Sequence, residues 1–359
     1  MTFLIAAAGT GGHIFPGLAV GEALVGAGVS KDDVLFVGGS RLEASVYPAH
    51  GFPFLEVELR GLQRSFTLKN LALPRMVMKA RDAIADAIGR HDSKVALGMG
   101  GYVTVPAAMA ARRERVALMI SEQNAGAGLA NRVVQRWATR RFTSFPDTHG
   151  LPGGEWVGNP IRAGFGRFDR ADLRPEALRR YSISDAIPVL GVFGGSLGAA
   201  AINTAVAKLV RRWRGRPVQV LHLTGERNLE EMKGLPDGDV ARWNRLPFED
   251  EMEFFYAACD LVVARAGGAV AELTATATPS ILVPGGFGSS GHQAANAAFL
   301  EKAGASVVVP EDELDSIDGL VAELIHDADR LADMTSAAHG IARPEAGRVI
   351  AKAMMDEAR

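Results

Sequence analysis

Short runs of Val, Leu and Ile recur along the chain with longer helical-period segments between them, the pattern of parallel sheets built from βαβ units. In the first half the runs predict strands at Phe3–Ala8, Val34–Val37, Phe54–Leu59, Val95–Met99 and Val116–Ile120. In the second they predict strands at Val189–Phe193, Val218–Leu223, Leu261–Ala264, Ser280–Val283 and Ser306–Val309. Each half is therefore a candidate doubly wound α/β lobe. The stretch from Gly150 to Arg174, with Pro152, Pro160 and Pro175 around it, keeps neither period and is expected to carry the linker. A boundary near residue 160 follows, and 359 residues suffice for two domains of ordinary size. No repeat with a period of about 20–50 residues and no low-complexity segment interrupts this organisation.

Composition narrows the class. With 48% hydrophobic and 22% charged residues the chain is globular, neither disordered nor fibrous. The single cysteine, Cys259, excludes an intramolecular disulfide and fits the cytosol. The apolar run Phe3–Ala8 imitates a secretion signal, but it lacks a basic leader and runs into glycines, so a buried first strand is the better reading. No window reaches about 18 apolar residues free of Gly and Pro, so no membrane span is predicted. The net charge of −2 is unevenly spread. Residues 1–160 hold 17 Lys and Arg against 13 Asp and Glu, and the remainder hold 22 against 28. A basic first half suits an anionic partner, although solvated faces produce such asymmetry equally well.

The 41 glycines are the one compositional excess. Four strand ends carry glycine loops: Gly9-Thr10-Gly11-Gly12-His13, Gly98-Met99-Gly100-Gly101-Tyr102, Gly194-Gly195-Ser196-Leu197-Gly198 and Ala266-Gly267-Gly268-Ala269. Such loops let backbone N–H groups approach a ligand, and a following helix offers partial positive charge to phosphate. Any one of them is equally well a tight strand-to-helix turn; four in corresponding places favour phosphate binding. The dinucleotide fingerprint fails, since it would need glycine at Ile14 or Val103. The P-loop fails too, because no lysine follows a glycine. Asp237-Gly238-Asp239 matches a short metal-binding pattern of some sugar transferases, but it lies in a Pro/Gly-rich stretch and reads as a solvated turn.

Six segments in order, AAAGTGGHIFPGLAV (6–20), GMGGYVTVPAA (98–108), SEQNAGAGLANR (121–132), VGNPIR (157–162), GGSLGAAAIN (194–203) and ARAGGAVAEL with ILVPGGFGSSGHQAANAAFLEKAGA (264–305), resemble the MurG family. Its members are peripheral membrane transferases that add N-acetylglucosamine to undecaprenyl-diphosphoryl-muramoyl-pentapeptide in peptidoglycan synthesis. The resemblance implies a GT-B fold: two Rossmann-like lobes with an interlobe cleft, residues 1–160 binding the acceptor and 161–342 the UDP-sugar. The last helix, 343–359, would pack back on the first lobe. The implied reaction is an inverting displacement needing no metal or other cofactor, and no nucleic-acid partner is implied.

The same resemblance suggests roles residue by residue. Glu272 would accept both ribose hydroxyls, as a carboxylate fork does well, unless it is only a charge at a helix start. Ser196 with its loop and Arg162 would meet the diphosphate, and Gly267, Gly268 and Ala269 would be among the donor-binding residues. The main chain of Phe248 would read uracil. Gln293, with His292 beside it, and Asn124 would hold the sugar hydroxyls, and Thr10, Gly11 and Gly12 would line the donor side. His13 is the candidate base, because an imidazole can take the acceptor proton near neutral pH; the alternative is a histidine that merely packs its helix. Gly100, Gly101, Tyr102, Glu122 and Asn131 fall at acceptor-side positions, with Glu122 open to either proton transfer or positioning. Ser121 and Leu197 depart from the family's usual histidine and glutamine.

From Leu59 to Arg81 there are six basic residues, Arg60, Arg64, Lys69, Arg75, Lys79 and Arg81, and no acidic one. Apolar residues including Leu71 and Met78 are interleaved, so the segment is expected to dock on an anionic membrane surface, Lys69, Leu71, Arg75, Met78 and Lys79 making contact. An ordinary amphipathic helix would show a similar pattern. Alternative functions are a related transferase with another acceptor, a UDP-sugar 2-epimerase of the same architecture, and a catalytically weak UDP-sugar binder.

Overall fold

The computed structural model describes residues 2–59, 73–195, 198–285 and 290–359. Ser196, Leu197, Lys69 and Leu71, singled out above, lie outside them, as do Arg60, Arg64 and residues 286–289. The strands are β1 (Thr2–Ala6), β2 (Val34–Gly38), β3 (Phe54–Glu56), β4 (Ser93–Gly98), β5 (Ala117–Glu122), β6 (Arg140–Thr143) and β7 (Glu155–Trp156), then β8 (Val189–Phe193), β9 (Gln219–Leu223), β10 (Arg242–Leu246), β11 (Leu261–Ala264), β12 (Ser280–Leu282) and β13 (Ser306–Val308). The helices of the first half are α1 (Gly11–Gly26), α2 (Leu42–Ala49), α3 (Leu73–His91), α4 (Thr104–Glu114) and α5 (Leu129–Val134). Those after it are α6 (Arg170–Tyr181), α7 (Ala200–Arg212), α8 (Leu229–Lys233), α9 (Met252–Ala258), α10 (Ala269–Ala275), α11 (Ser290–Ala303), α12 (Ile317–Leu324), α13 (Ala328–Ile341) and α14 (Ala346–Glu357).

The chain divides into two compact units. Unit 1 comprises Met1–Ala163 and Arg343–Arg359, and unit 2 comprises Gly164–Ala342. Unit 1 holds a seven-stranded parallel sheet in the order β3-β2-β1-β4-β5-β6-β7, and unit 2 a six-stranded parallel sheet in the order β10-β9-β8-β11-β12-β13. Counted from the start of each unit, both sheets follow the doubly wound order 3-2-1-4-5-6. The order reverses between β1 and β4 in unit 1 and between β8 and β11 in unit 2. The four glycine loops of the sequence follow those four strands, at the carboxyl ends where ligands bind in such sheets.

Alternation along β1 sorts the core of unit 1. Phe3 and Ile5 join one layer with Val95, Leu97, Ile14 and Leu18, while Leu4 and Ala6 join the other with Ile84, Ile88, Ala107 and Leu118. Helix α14 completes the first layer: Ile350, Ala351 and Met354 are buried there, and Gly347 lies against Ala19 and Ala23 of α1. Burying Ile350 and Met354 stabilises unit 1 by roughly 1.5–3 kcal/mol each. In unit 2, Leu190, Val192, Val220 and Ile281 pack with Val206 and Val210 of α7 on one face. Elsewhere in this unit Phe193, Phe255 and Tyr256 make edge-to-face contacts, the first two with centroids 5.5 Å apart.

The stretch expected to be linker carries more structure than its prolines suggest. β7 pairs with β6 at its start, and α6 begins before Arg174 and contains Pro175. Asp169 caps α6 by accepting from the N–H groups of Ala171 and Asp172 at 2.8 and 3.3 Å, a cap worth about 1 kcal/mol. Arg170 and Arg174 then anchor the helix to Asp260, which offsets the hydrogen bond lost at Pro175. Among the described residues no helix is long and apolar enough to cross a membrane.

Candidate active-site loops

In unit 1 the sequence-selected residues gather at the ends of β1, β4 and β5. The Gly9 loop leaves β1 with φ +108° at Gly9 and enters α1, with Thr10 at its N-cap. Thr10 Oγ1 lies 3.2 Å from Nδ1 of His13, which fixes that edge of the ring. The loop after β4 turns through two left-handed glycines, Gly100 at φ +85° and Gly101 at φ +72°. A Cβ at Gly100 would stand 3.0 Å from the His13 ring and 3.5 Å from Nδ2 of Asn131; one at Gly101 would stand 2.5 Å from the Ala8 carbonyl. Only glycine lets this loop close on His13 and on the end of β1.

Glu122, the last residue of β5, is 2% exposed. Its Oε1 accepts from the backbone N–H and side-chain amide of Asn124, both at 3.2 Å. Its Oε2 accepts from Gly128 N–H and Asn131 Nδ2, both at 2.9 Å, and Asn131 Nδ2 also donates to the Ser121 carbonyl. Four donors converge on this one buried carboxylate, which ties the 122–131 loop together. Ser121 is buried and engaged by Gln123 Nε2. Tyr102 donates its hydroxyl to Glu43 Oε1 at 2.8 Å; burial and that bond hold its phenol well above the usual range, so it stays protonated. Glu43 is not among the residues that the sequence singles out.

Arg162, grouped from the sequence with the second lobe, lies in unit 1, two residues before the break. Its charge, with those of His50 and Lys31, opposes the upward shift that burial imposes on the Glu22 carboxyl of α1.

Unit 2 gathers its own set. Gly267 and Gly268 follow β11 and lead into α10, and a Cβ on either would meet nothing within 4 Å. Ala269 and Glu272 lie in the first turn of α10, and Tyr256 Oη donates to Glu272 Oε2 at 2.8 Å. His292 and Gln293 are in the first turn of α11, and Gln293 Oε1 accepts from Gly285 N–H at 2.8 Å. Phe248, 47% exposed, lies just past β10. Gly195 and Gly198 bracket the loop after β8, and a side chain at Gly198 would collide with the Thr224 carbonyl, which Asn203 and Asn228 also engage. In β9 His222 is fully buried, its Nε2 3.0 Å from Asn203 Oδ1. Burial pushes its pKa down to about 3, with the Arg245 charge a lesser cause, so this histidine is neutral structure. Asp237 and Asp239 each form an ion pair, with Arg245 and Arg214, and Gly238 takes φ +62° in a turn. Among the described residues no group of three or more His, Cys, Asp or Glu could hold a metal ion.

The profile of the glycosyltransferase family 28 N-terminal domain matches residues 3–143, and that of the family 28 C-terminal domain matches residues 189–350. A protein of Halorhodospira halophila named UDP-N-acetylglucosamine--N-acetylmuramyl-(pentapeptide) pyrophosphoryl-undecaprenol N-acetylglucosamine transferase is 41% identical over 96% of this chain and 95% of its own. A Mycolicibacterium paratuberculosis protein of the same name is 37% identical over 100% of this chain and 89% of its own. The crystal structure of Acinetobacter baumannii MurG superposes with a TM-score of 0.80 at 26% identity, covering 99% of both chains.

The chain belongs to the MurG family.

It is thus a glycosyltransferase, and its two parallel sheets are those of the GT-B fold that MurG shares. The UDP-GlcNAc 2-epimerase of Neisseria meningitidis superposes less well, with a TM-score of 0.66 at 12% identity, a likeness of fold alone. Within the MurG family frame, the loops described above lie inside the two matched segments: the His13, Tyr102 and Glu122 set within 3–143, the Phe248, Glu272 and Gln293 set within 189–350.

Proposed function

We propose that this enzyme transfers N-acetylglucosamine from UDP-N-acetylglucosamine to the muramoyl 4-hydroxyl of a lipid-linked muramoyl-pentapeptide, inverting the anomeric carbon without a metal. The observation that carries the reading is end-to-end identity, 41% over 96% of the chain, with a relative named for this reaction. The acceptor oxygen attacks the anomeric carbon as the bond to the UDP phosphate breaks, and the acceptor proton passes to His13. Support for that role is the ring's fixation by Thr10 and by the glycine pair 100–101, since a base must be held within reach of its proton. Asn131, Glu122 and Tyr102 order the acceptor side.

On the donor side Glu272, oriented by Tyr256, holds the ribose, and Phe248's main chain meets the uracil. Gln293 and Asn124 hold sugar hydroxyls, with His292 beside them. Loop N–H groups, Ser196 and Arg162 stabilise the leaving diphosphate, the work that preorganised donors do best. Purified protein incubated with UDP-N-acetylglucosamine and a short-chain muramoyl lipid should release UDP only when both are present. UDP-N-acetylmannosamine formation without acceptor would instead indicate an epimerase, and donor binding with no transfer a sugar-nucleotide binder.

We further place the enzyme peripherally at the cytoplasmic membrane face, docking through α3 and the segment before it. Supporting this, Met78 is 39% exposed and Lys79 is a surface residue. The Lys79–Glu58 pair, at 2.9 Å and largely in solvent, is weak enough to yield to a lipid headgroup. Wild type should co-sediment with phosphatidylglycerol vesicles at low salt. The variant with Lys69, Arg75, Lys79 and Arg81 all changed to Gln should lose that binding, each cation contributing about 1 kcal/mol. Equal, salt-insensitive binding of both proteins would refute the placement.

A further inference from the structure

Glu43 is a fully buried carboxylate to which the proposed reaction assigns no task. It is the second residue of α2, a place where an acidic side chain ordinarily faces water, yet it is 0% exposed. Its Oε1 accepts from Gly39 N–H at 3.0 Å and from Tyr102 Oη at 2.8 Å. Its Oε2 is buried with no hydrogen-bond partner among the described residues. A buried carboxylate with one oxygen unbonded costs stability, so stability does not account for this residue.

What surrounds Glu43 does. Gly38 and Gly39, at the end of β2, are bare where side chains would intrude: a Cβ at Gly38 would lie 2.7 Å from Glu43 Cγ, and one at Gly39 would collide with the Tyr102 hydroxyl. The Tyr102 ring lies against Gly9, 3.5 Å from where its Cβ would be. Tyr102 also ends the segment whose Gly100 and Gly101 seat His13 and the end of β1. One side chain therefore touches the loop that carries Thr10 and belongs to the loop that backs His13, and Glu43 holds its far end.

We propose that Glu43 is a positioning residue for the transfer reaction: by holding the Tyr102 hydroxyl it keeps the two loops flanking His13 in register. This rests on the function proposed above. A displacement of the base by about 1 Å costs on the order of 100-fold in rate, so small loop shifts are enough to register in kcat.

The test compares Glu43→Ala, Glu43→Gln, Tyr102→Phe and the Glu43→Ala/Tyr102→Phe double variant in the coupled assay, with UDP affinity and thermal unfolding measured alongside. Glu43→Ala should lower kcat by about 10- to 100-fold while KM for UDP-N-acetylglucosamine and UDP affinity stay within about twofold. Glu43→Gln keeps an acceptor oxygen for both donors and should recover most of the loss. Tyr102→Phe should match Glu43→Ala, and the double variant should be no worse than either, because both cut one link. Wild-type kcat in folded Glu43→Ala, or losses that multiply in the double variant, would overturn the proposal. If Glu43→Ala does not fold, Gly39→Ala decides: it presses on the same hydroxyl with Glu43 intact, so reduced kcat supports the assignment and wild-type kcat refutes it. Failure of the wild type to couple UDP release to acceptor would count against the proposed function instead.

Discussion

The glycine loop after β4 in unit 1 and the one after β11 in unit 2 look alike in sequence and differ in what makes them glycine. In unit 1 the requirement is internal: Gly100 and Gly101 have positive φ, and any side chain there would strike His13 or the Ala8 carbonyl. In unit 2 Gly267 and Gly268 have ordinary φ and open space around them, so the protein's own packing does not demand them. The side chains differ in the same way. Glu122, Asn131, Tyr102 and Glu43 are engaged with one another's loops, whereas in unit 2 Glu272 and Gln293 have such a bond to Tyr256 and Gly285 respectively, and Phe248 is exposed. One end is a preorganised network round a candidate base; the other keeps backbone open to a ligand, as diphosphate and nucleobase recognition needs.

That contrast can be broken most sharply at His13. His13→Ala should lower kcat by about 10²- to 10⁴-fold with little change in UDP affinity, since its role is confined to the transition state. A variant that instead loses UDP affinity would put His13 among the binding groups. At the other end, Glu272→Ala should weaken UDP by about 10- to 150-fold, the loss of a charged hydrogen-bond acceptor. Calorimetry with a UDP analogue lacking the ribose hydroxyls checks this: Glu272→Ala should bind that analogue as wild type does.

The glycines themselves give the smallest and most direct comparison. Gly101→Ala should destabilise the protein by about 1–3 kcal/mol through backbone strain and its clash with Ala8. Gly268→Ala should change stability by less than about 0.5 kcal/mol and show its effect in donor affinity alone. Equal melting temperatures for the two variants would erase the distinction drawn between the loops.

What the sequence reveals and conceals follows the same physics. Central strands are covered on both faces and read as unbroken apolar runs, which is why β1, β4, β8 and β11 are legible. The strands missed lie at or near sheet edges: β10 and β7 are terminal, and β6 is next to β7. Arg242-Trp243-Asn244-Arg245-Leu246 and Arg140-Arg141-Phe142-Thr143 need fewer apolar positions because one side meets solvent or a short neighbour. α6 was hidden by Pro175, whose cost is offset by contacts to Asp260 from 86 to 90 residues away. The Glu43–Tyr102 bond spans 59 residues and leaves no local trace, and a first-turn glutamate is ordinary on any helix. His222 sits in an apolar run that marks its burial but not its bond to Asn203.

The return of α14 to unit 1 has a consequence for synthesis. Unit 2 has its full chain once residue 342 has left the ribosome, but the layer holding Phe3 and Ile5 still lacks Ile350 and Met354. Unit 1 therefore cannot complete this layer before unit 2 is made, unlike an N-terminal domain of continuous chain, which can finish first. Strand β1 must wait, partly covered, through the translation of all of unit 2 before α14 closes the layer that Phe3 and Ile5 belong to.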